Sequence, residues 1–204
     1  RATLHGCPLI SCDLTSPDAT TLVRQYQSAV FTPLMRVHMM KGTPRFPWFW
    51  PKDASAPDYD AHQRAFRAAL QLRYTFLPFL YSLAHAAHRT GRPMAHPASF
   101  SFPGECSRDE ERCRLAEAAY MVGSVLAPAD LGLAHTNVRP PPLENLSTAY
   151  LAPLPGGARW FRWNSTVALD GGQTVRETLA LEEVALYVRG GAILPLHGGG
   201  DVQR

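Results

Sequence analysis

The fold class this sequence predicts is an α/β unit followed by an all-β unit, and three features predict it. Residues 8–38 run as apolar strand, helix and apolar strand. Residues 60–90 carry one long helical pattern. Beyond Pro93 the chain breaks into short apolar runs separated by the glycine pairs Gly156-Gly157, Gly171-Gly172 and Gly190-Gly191. The first feature reads as a βαβ unit of parallel strands with a right-handed crossover. The last reads as a β-sandwich. The change of character falls near Gly91. Residues 1–91 are therefore expected to form the end of a (β/α) barrel, and residues 92–204 a β-sandwich domain.

Taken in order, Pro8–Cys12 (PLISC) is a short buried strand that delivers Asp13 at its end. Ser16-Pro17 or Asp18 starts a helix through Thr21–Val30, with Leu22, Tyr26 and Ala29/Val30 on one face. Thr32–His38 is the next strand. Asp13 and His38 then sit at the same carboxyl end of neighbouring parallel strands, the end that carries the chemistry in a (β/α) barrel. The loop that follows holds Pro44, Pro47, Trp48, Phe49 and Trp50. Aromatic rings beside a polar group suit sugars, whose C–H faces stack while their hydroxyls need hydrogen-bond partners. The competing reading makes the aromatics core and His38 a satisfied buried histidine.

Ala54–Tyr59 reads as a loop. Asp60–Thr90 places Phe66, Leu70, Tyr74, Leu77, Leu80 and Tyr81 at three- and four-residue steps, a helical stripe. Pro78 interrupts it, which predicts a kink or two abutting helices. Gly91 is the expected cap, with Pro93 just beyond. His85 and His88 lie three apart, but with no carboxylate in the same turn they read as a solvated face rather than a metal site. Met94–Phe102 alternates as a strand, Ser107–Ala119 is a charged helix, and Tyr120–Pro128 is apolar. Asn137–Leu143 is a surface loop or insertion. Ala149–Leu154, Trp160–Trp163, Thr174–Leu179 and Ala185–Leu196 are the remaining strand candidates.

Composition excludes several classes. A hydrophobic fraction of 46% with four Trp in 204 residues describes a packed chain rather than a disordered one. The net charge is +3 with the arginines dispersed, so no nucleic-acid footprint is present. No apolar run approaches the roughly 20 residues that span a bilayer. Cys7, Cys12, Cys106 and Cys113 lack CxxC spacing, which argues against structural zinc. Pairing of Cys106 with Cys113 across a short loop is open, and the spacing does not decide it. The sequons Asn145-Leu146-Ser147 and Asn164-Ser165-Thr166 permit N-glycosylation and lean toward a lumenal or extracellular site. The chain begins at Arg1 and ends in HGGGDVQR, so a piece of a longer protein is expected. Nothing in the sequence bears on oligomeric state.

Several blocks resemble the carboxyl-terminal part of glycoside hydrolase family 31, the α-glucosidase and α-xylosidase family. Leu70–Pro97 (LQLRYTFLPFLYSLAHAAHRTGRPMAHP) is similar to that family's helix pair after the last barrel strand, and FTPLMRVH (Phe31–His38) to its eighth strand. Arg45-Phe46-Pro47-Trp48 resembles its R-x-P-W loop. Tyr120-Met121-Val122-Gly123 with Leu126-Ala127-Pro128, and Ala185–Pro195, resemble later family segments in the family's order. The resemblance implies strands 7–8 of a (β/α)8 barrel, the helices after them and a proximal β-sandwich. It also implies retaining hydrolysis of α-linked sugars. That reaction needs two carboxyl groups about 5–5.5 Å apart, nucleophile and acid/base, and no metal or organic cofactor. In the family both are aspartates on earlier strands, so neither is expected within this chain. His38 matches the histidine that hydrogen-bonds the sugar in the −1 subsite. Asp13 matches the aspartate of the D-I-G-G-F motif beside that subsite. Arg36 belongs to the same MRxH run and serves either substrate binding or structure.

The departures are specific. Asp13 is followed by Leu14-Thr15-Ser16-Pro17, without the Gly-Gly-Phe that shapes the family pocket. His96 stands where the family has Arg, Ser124 replaces an Asp after Gly123, and the segment around Asn137–Leu143 is unusual. They leave room for altered specificity. They also admit an inactive relative that binds glycans or acts as a scaffold.

Overall fold

The computed structural model describes residues 11–14, 19–37, 59–107, 110–128 and 148–198, to which the following statements refer. Strand β1 (Ser11–Leu14) leads through helix α1 (Ala19–Ala29) to β2 (Leu34–Val37). The two strands pair in parallel, with Ser11 opposite Leu34 and Leu14 opposite Val37. This is the expected βαβ unit. Asp13 lies inside β1 rather than beyond it, because the strand runs one residue further than Asp13. Leu22, Tyr26, Ala29 and Val30 are buried, as the helical spacing requires.

Helices α2 (Tyr59–Thr75) and α3 (Leu77–Thr90) abut at Phe76. Pro78 has no N–H to donate to the Tyr74 carbonyl, so the α2 ladder cannot continue past this point. The new helix starts with its proline in the first turn, where a missing N–H is harmless. Tyr59, expected in a loop, is the first helical residue. The predicted apolar stripe is only partly the buried one. Phe66 and Leu80 are core, but Tyr74, Leu77 and Tyr81 are exposed, Tyr81 to 78%. The buried face runs instead through Ala65, Phe66, Ala69, Phe76, Phe79 and Leu80. Two alanines here permit close approach of α1, and the break at Phe76 resets the helical phase. α3 ends on Gly91, whose φ of 72° is left-handed and whose N–H bonds the Ala87 carbonyl. His85 and His88 are both exposed on α3.

The all-β part begins with β3 (Ala95–Pro97), then turns at once into helix α4 (Ala98–Ser101) and a 3₁₀ turn at Pro103–Glu105. The alternation that predicted one strand over Met94–Phe102 therefore breaks after Pro97. α5 (Glu110–Ala118) follows. Tyr120–Pro128 is not one run but a hairpin, β4 (Ala119–Val122) and β5 (Val125–Pro128). Its turn needs Gly123: φ is 54°, and a Cβ there would lie 2.9 Å from Leu83 Cδ2 and Phe79 Cζ on α3. β6 (Thr148–Leu154), β7 (Arg159–Arg162), β8 (Ala168–Asp170), β9 (Gln173–Leu179) and β10 (Tyr187–Arg189) complete the set. Of the expected Ala185–Leu196 run, only Tyr187–Arg189 is strand. The loop expected at Asn137–Leu143 lies outside the described residues.

The strands form an antiparallel sheet in the order β3-β4-β5-β10-β7-β8, and β6 pairs β9 separately. Burial on both faces explains the continuous apolar sequences of β4 and β5. Val122, Val125, Ala127 and Leu186 join one core with α1, α2 and α3. Met121, Leu126, Trp160 and Tyr187, at alternate positions, join a second core with Ala152, Leu154 and Leu179 of the β6–β9 pair. A barrel end of strands and helices is thus followed by a β-sandwich. Cys106 and Cys113 form a disulfide. Beside it, buried Glu105 accepts from Arg112 Nε at 3.0 Å and from the Gly156 N–H at 2.9 Å, and Arg112 Nη1 reaches the Gly172 carbonyl at 2.9 Å. One ion pair thereby ties α5 to both glycine turns.

Trp160 is fully buried, and its indole N–H donates to the Pro155 carbonyl at 3.0 Å. Trp160→Ala is expected to lower the unfolding free energy of the full-length protein by about 3–5 kcal/mol, read by denaturant titration. A loss below about 1 kcal/mol would place Trp160 outside the core.

His96 is buried in β3. Its Nε2 lies 2.7 Å from Ser101 Oγ, and its ring stands edge-on to Phe100. Burial first, then the charge of Arg92, pushes its pKa below the ordinary 6.5, with the Pro93 backbone opposing. Above the ordinary value both states are neutral at His96 and its contribution is complete. As the pH falls below it, the unfolded chain takes up the proton first, so stability is lost. His96→Gln is expected to flatten the loss of unfolding free energy between about pH 6.5 and pH 5. Parallel wild-type and variant slopes in denaturation at each pH would count against this.

Candidate functional site

Two of the three residues singled out for sugar binding, Asp13 and Arg36, lie in the last position but one of β1 and β2. Parallel register puts Asp13 opposite Arg36, two residues before His38. His38 and the aromatic loop Pro44–Trp50 lie outside the described residues. Asp13 and Arg36 are therefore brought together as register partners on adjacent strands.

What holds β2 in place is an arginine that the sequence alone did not single out. Arg73, in the last turn of α2, aims its guanidinium at the turn between α1 and β2. Nη1 donates to the Val30 carbonyl at 2.6 Å and the Thr32 carbonyl at 2.5 Å, and Nη2 donates to the Pro33 carbonyl at 3.2 Å. Burial lowers the Arg73 pKa from its ordinary value, while the nearby Tyr120 phenol opposes that shift. Three carbonyls of this turn thus receive charge-assisted bonds. A planar five-donor fork can span them, which an ammonium cannot do in one geometry. The signal available in the sequence was a charged residue among the leucines and aromatics of LQLRYTF.

A second missed pair lies on α1. Arg24 and Gln27 are buried, although the apolar spacing marks only their neighbours. Arg24 Nη1 donates to Gln27 Oε1 at 2.8 Å, and Gln27 Nε2 donates to the Leu181 carbonyl at 2.6 Å. The Arg24 guanidinium also approaches the carbonyls of Glu183 and Ala180, at 3.3 and 3.4 Å. Burial lowers the Arg24 pKa to about 10, with the Glu183 charge partly restoring it. Tyr120 adds a bond from its hydroxyl to the Ser28 carbonyl at 2.8 Å. The crossover helix of the βαβ unit is thereby fastened to the β9–β10 connection.

Two clefts among the described residues flank Trp163. One, of about 390 Å³, is lined by Trp163, Asn164, Arg189 and the turn at Gly190-Gly191. The other, of about 280 Å³, lies between α2 and residues 182–186. The carboxylates of the second are engaged elsewhere. Glu182 pairs with Arg64 at 2.8 Å, and Glu183 accepts the Ala180 N–H at 2.9 Å. Neither cleft therefore presents two carboxyl groups ready for acid and nucleophile work. Among the described residues no group of three or more His, Cys, Asp or Glu is placed to hold a metal ion, and no helix is long and apolar enough to cross a membrane.

The glycosyl hydrolase family 31 TIM-barrel domain matches residues 1–83, and the glycosyl hydrolase family 31 C-terminal domain matches residues 91–194. The chain belongs to glycoside hydrolase family 31. Among its relatives, neutral α-glucosidase C of Macaca fascicularis is 32% identical over 183 residues, which cover 89% of this chain and 21% of the relative. An α-glucosidase of Saccharolobus solfataricus is 29% identical over 206 residues, covering 96% and 26%. The Flavobacterium johnsoniae family 31 dextranase, solved with isomaltotriose, superposes with a TM-score of 0.72 at 24% identity, covering 96% of this chain and 22% of that one. The chain spans roughly a fifth to a quarter of the length of the curated relatives it matches.

Arg73→Met is expected to lower the unfolding free energy of the full-length protein by about 2–4 kcal/mol, because it leaves buried carbonyls unpaired. Arg73→Lys should recover less than half of that loss. Equal stability of both variants with the wild type, read by denaturant titration, would remove the clamp from the account.

Proposed function

We propose that this chain supplies the last two strands and the adjoining β-sandwich of a retaining α-glycosidase acting on α-linked glucosides or related sugars. The carboxyl nucleophile and the carboxyl acid/base would lie on earlier strands of the same barrel. The division falls near Gly91, with residues 1–91 belonging to the barrel and residues 92–204 to the sandwich. The observation that carries this reading is the parallel pairing that sets Asp13 opposite Arg36, immediately ahead of His38. Polar groups delivered side by side at strand ends suit a sugar, which offers hydroxyls to be oriented.

In this reading His38, Asp13 and Arg36 bind substrate and carry no bond-making step. A neutral imidazole donates one hydrogen bond and accepts another, so His38 can fix a hydroxyl of the sugar in the −1 position. An Asp13 carboxylate accepts hydroxyl protons, and Arg36 supplies donors. If the His38 contact tightens as the ring flattens toward an oxocarbenium-like state, it lowers the barrier as well as aiding binding. No metal or organic cofactor is needed by chemistry that rests on paired carboxyls.

One sequence feature favours a second reading, an inactive relative that binds glycans or acts as a scaffold. Thr15-Ser16-Pro17 replaces the Gly-Gly-Phe that follows the aspartate in the family motif. One experiment separates the two. The full-length protein should hydrolyse an aryl α-glucoside or α-xyloside, and His38→Ala should reduce kcat/KM by about tenfold to a thousandfold with little change in melting temperature. No turnover of either substrate by a folded protein that still binds oligosaccharide would establish the inactive reading. Normal kinetics in a destabilised His38→Ala variant would make this a core histidine.

A further inference from the structure

We propose that Asn164 is an N-glycosylation site and that this protein matures in an oxidising secretory compartment. Three observations independent of the active-site reading support this. Asn164-Ser165-Thr166 is an acceptor tripeptide with a permitted middle residue. It sits on the turn that leaves β7, where the Ser165 N–H bonds the Arg162 carbonyl at 2.9 Å, and Asn164 and Thr166 are both exposed. Cys106 and Cys113 are joined as a disulfide, a bond that forms and persists in secretory and extracellular surroundings far more than in a reducing cytosol.

The turn suits a bulky substituent. Asn164 has φ of 63°, the only left-handed non-glycine among the described residues, so its side chain leaves the chain at a tight corner rather than along a strand. No buried packing has to move to admit a sugar there. Val167, three residues on, is 65% exposed, an apolar side chain that a neighbouring glycan would screen from solvent. The cleft beside Asn164 is lined by Trp163, Arg189 and the turn at Gly190-Gly191, which leaves open volume next to the acceptor. Asparagine also tolerates left-handed φ for conformational reasons alone, and glycine would serve that purpose as well. The hydroxyl two residues later is what conformation does not require.

Peptide-level mass spectrometry tests this on the full-length protein from its native source. Trypsin releases Trp163–Arg176, which contains Asn164 and excludes the other sequon. Without glycosidase treatment the unmodified peptide should be nearly absent. After peptide-N-glycosidase in heavy-oxygen water it should appear with labelled aspartate at position 164. In a eukaryotic secretory host, Thr166→Ala should restore the unmodified peptide while leaving the turn and its asparagine intact. Recovery of unmodified Asn164 as the main form from the native protein would overturn the proposal.

Discussion

The break between α2 and α3 is the constraint on which the rest of this chain depends. Pro78 cannot extend the α2 ladder, and the residue at the junction, Phe76, turns fully inward. There its ring meets Phe31 at 5.1 Å, Phe79 at 6.1 Å and Trp163 at 4.7 Å between centroids. These partners come from the end of the crossover, from the next helix and from the β-sandwich. One aromatic group thus joins three parts of the chain, through ring contacts that add to their area of burial. One turn earlier, the same helix presents Arg73 to the carbonyls before β2. A continuous helix would direct its later side chains elsewhere and lose the joint.

The antiparallel sheet answers a second demand. Its central strands are apolar at consecutive positions, which water would penalise on either face. The molecule therefore packs helices on one side and the β6–β9 pair on the other, and the sheet becomes the middle of a layered core. Polar groups enter this core in bonded sets. Glu105 with Arg112, and Glu177 with Arg162 and Tyr187, link strands and turns that apolar contact alone would leave free to slide.

Much of this was legible in the sequence where one rule acts alone. Leu22, Tyr26 and Ala29 marked one buried side of α1 by helical spacing, but Val23, Arg24, Gln27 and Ser28 bury other sides as well. Pro78 and Gly91 announced their breaks, because proline has no N–H for the ladder and glycine takes the left-handed φ that closes a helix. Legibility failed where two elements share a burden. Tyr74, Leu77 and Tyr81 looked like core because their spacing is helical, but the alanines at 65 and 69 decide which side α1 can approach. Phe100 and Phe102 continued an apolar alternation that the chain abandons for a helical turn at Ala98. From pattern alone Asp13 and His38 were expected at strand ends; Asp13 lies one residue inside β1, and His38 lies outside the described residues. Arg73, Arg24 and Gln27 could not be assigned, because what they bind is backbone carbonyl, and backbone leaves no mark in a sequence.

Those carbonyls also tell how the sandwich bears on the barrel. The Leu181 carbonyl belongs to the β9–β10 connection, and Gln27 reaches it from the helix that joins β1 to β2. The Ser28 carbonyl is bonded in turn by Tyr120 of β4. α1 is therefore held from the far side by two strands' worth of sandwich, while Arg73 fixes the turn where α1 ends. A shift of the sandwich would break these hydrogen bonds together with the apolar core it shares with α1, α2 and α3, and polar groups left unpaired there are costly. The register of Asp13 against Arg36 is set by β1 and β2, but the position of that pair is set from outside the barrel. The sandwich therefore bears on the β1–β2 pair through α1, which these bonds tie to the β9–β10 connection and to β4.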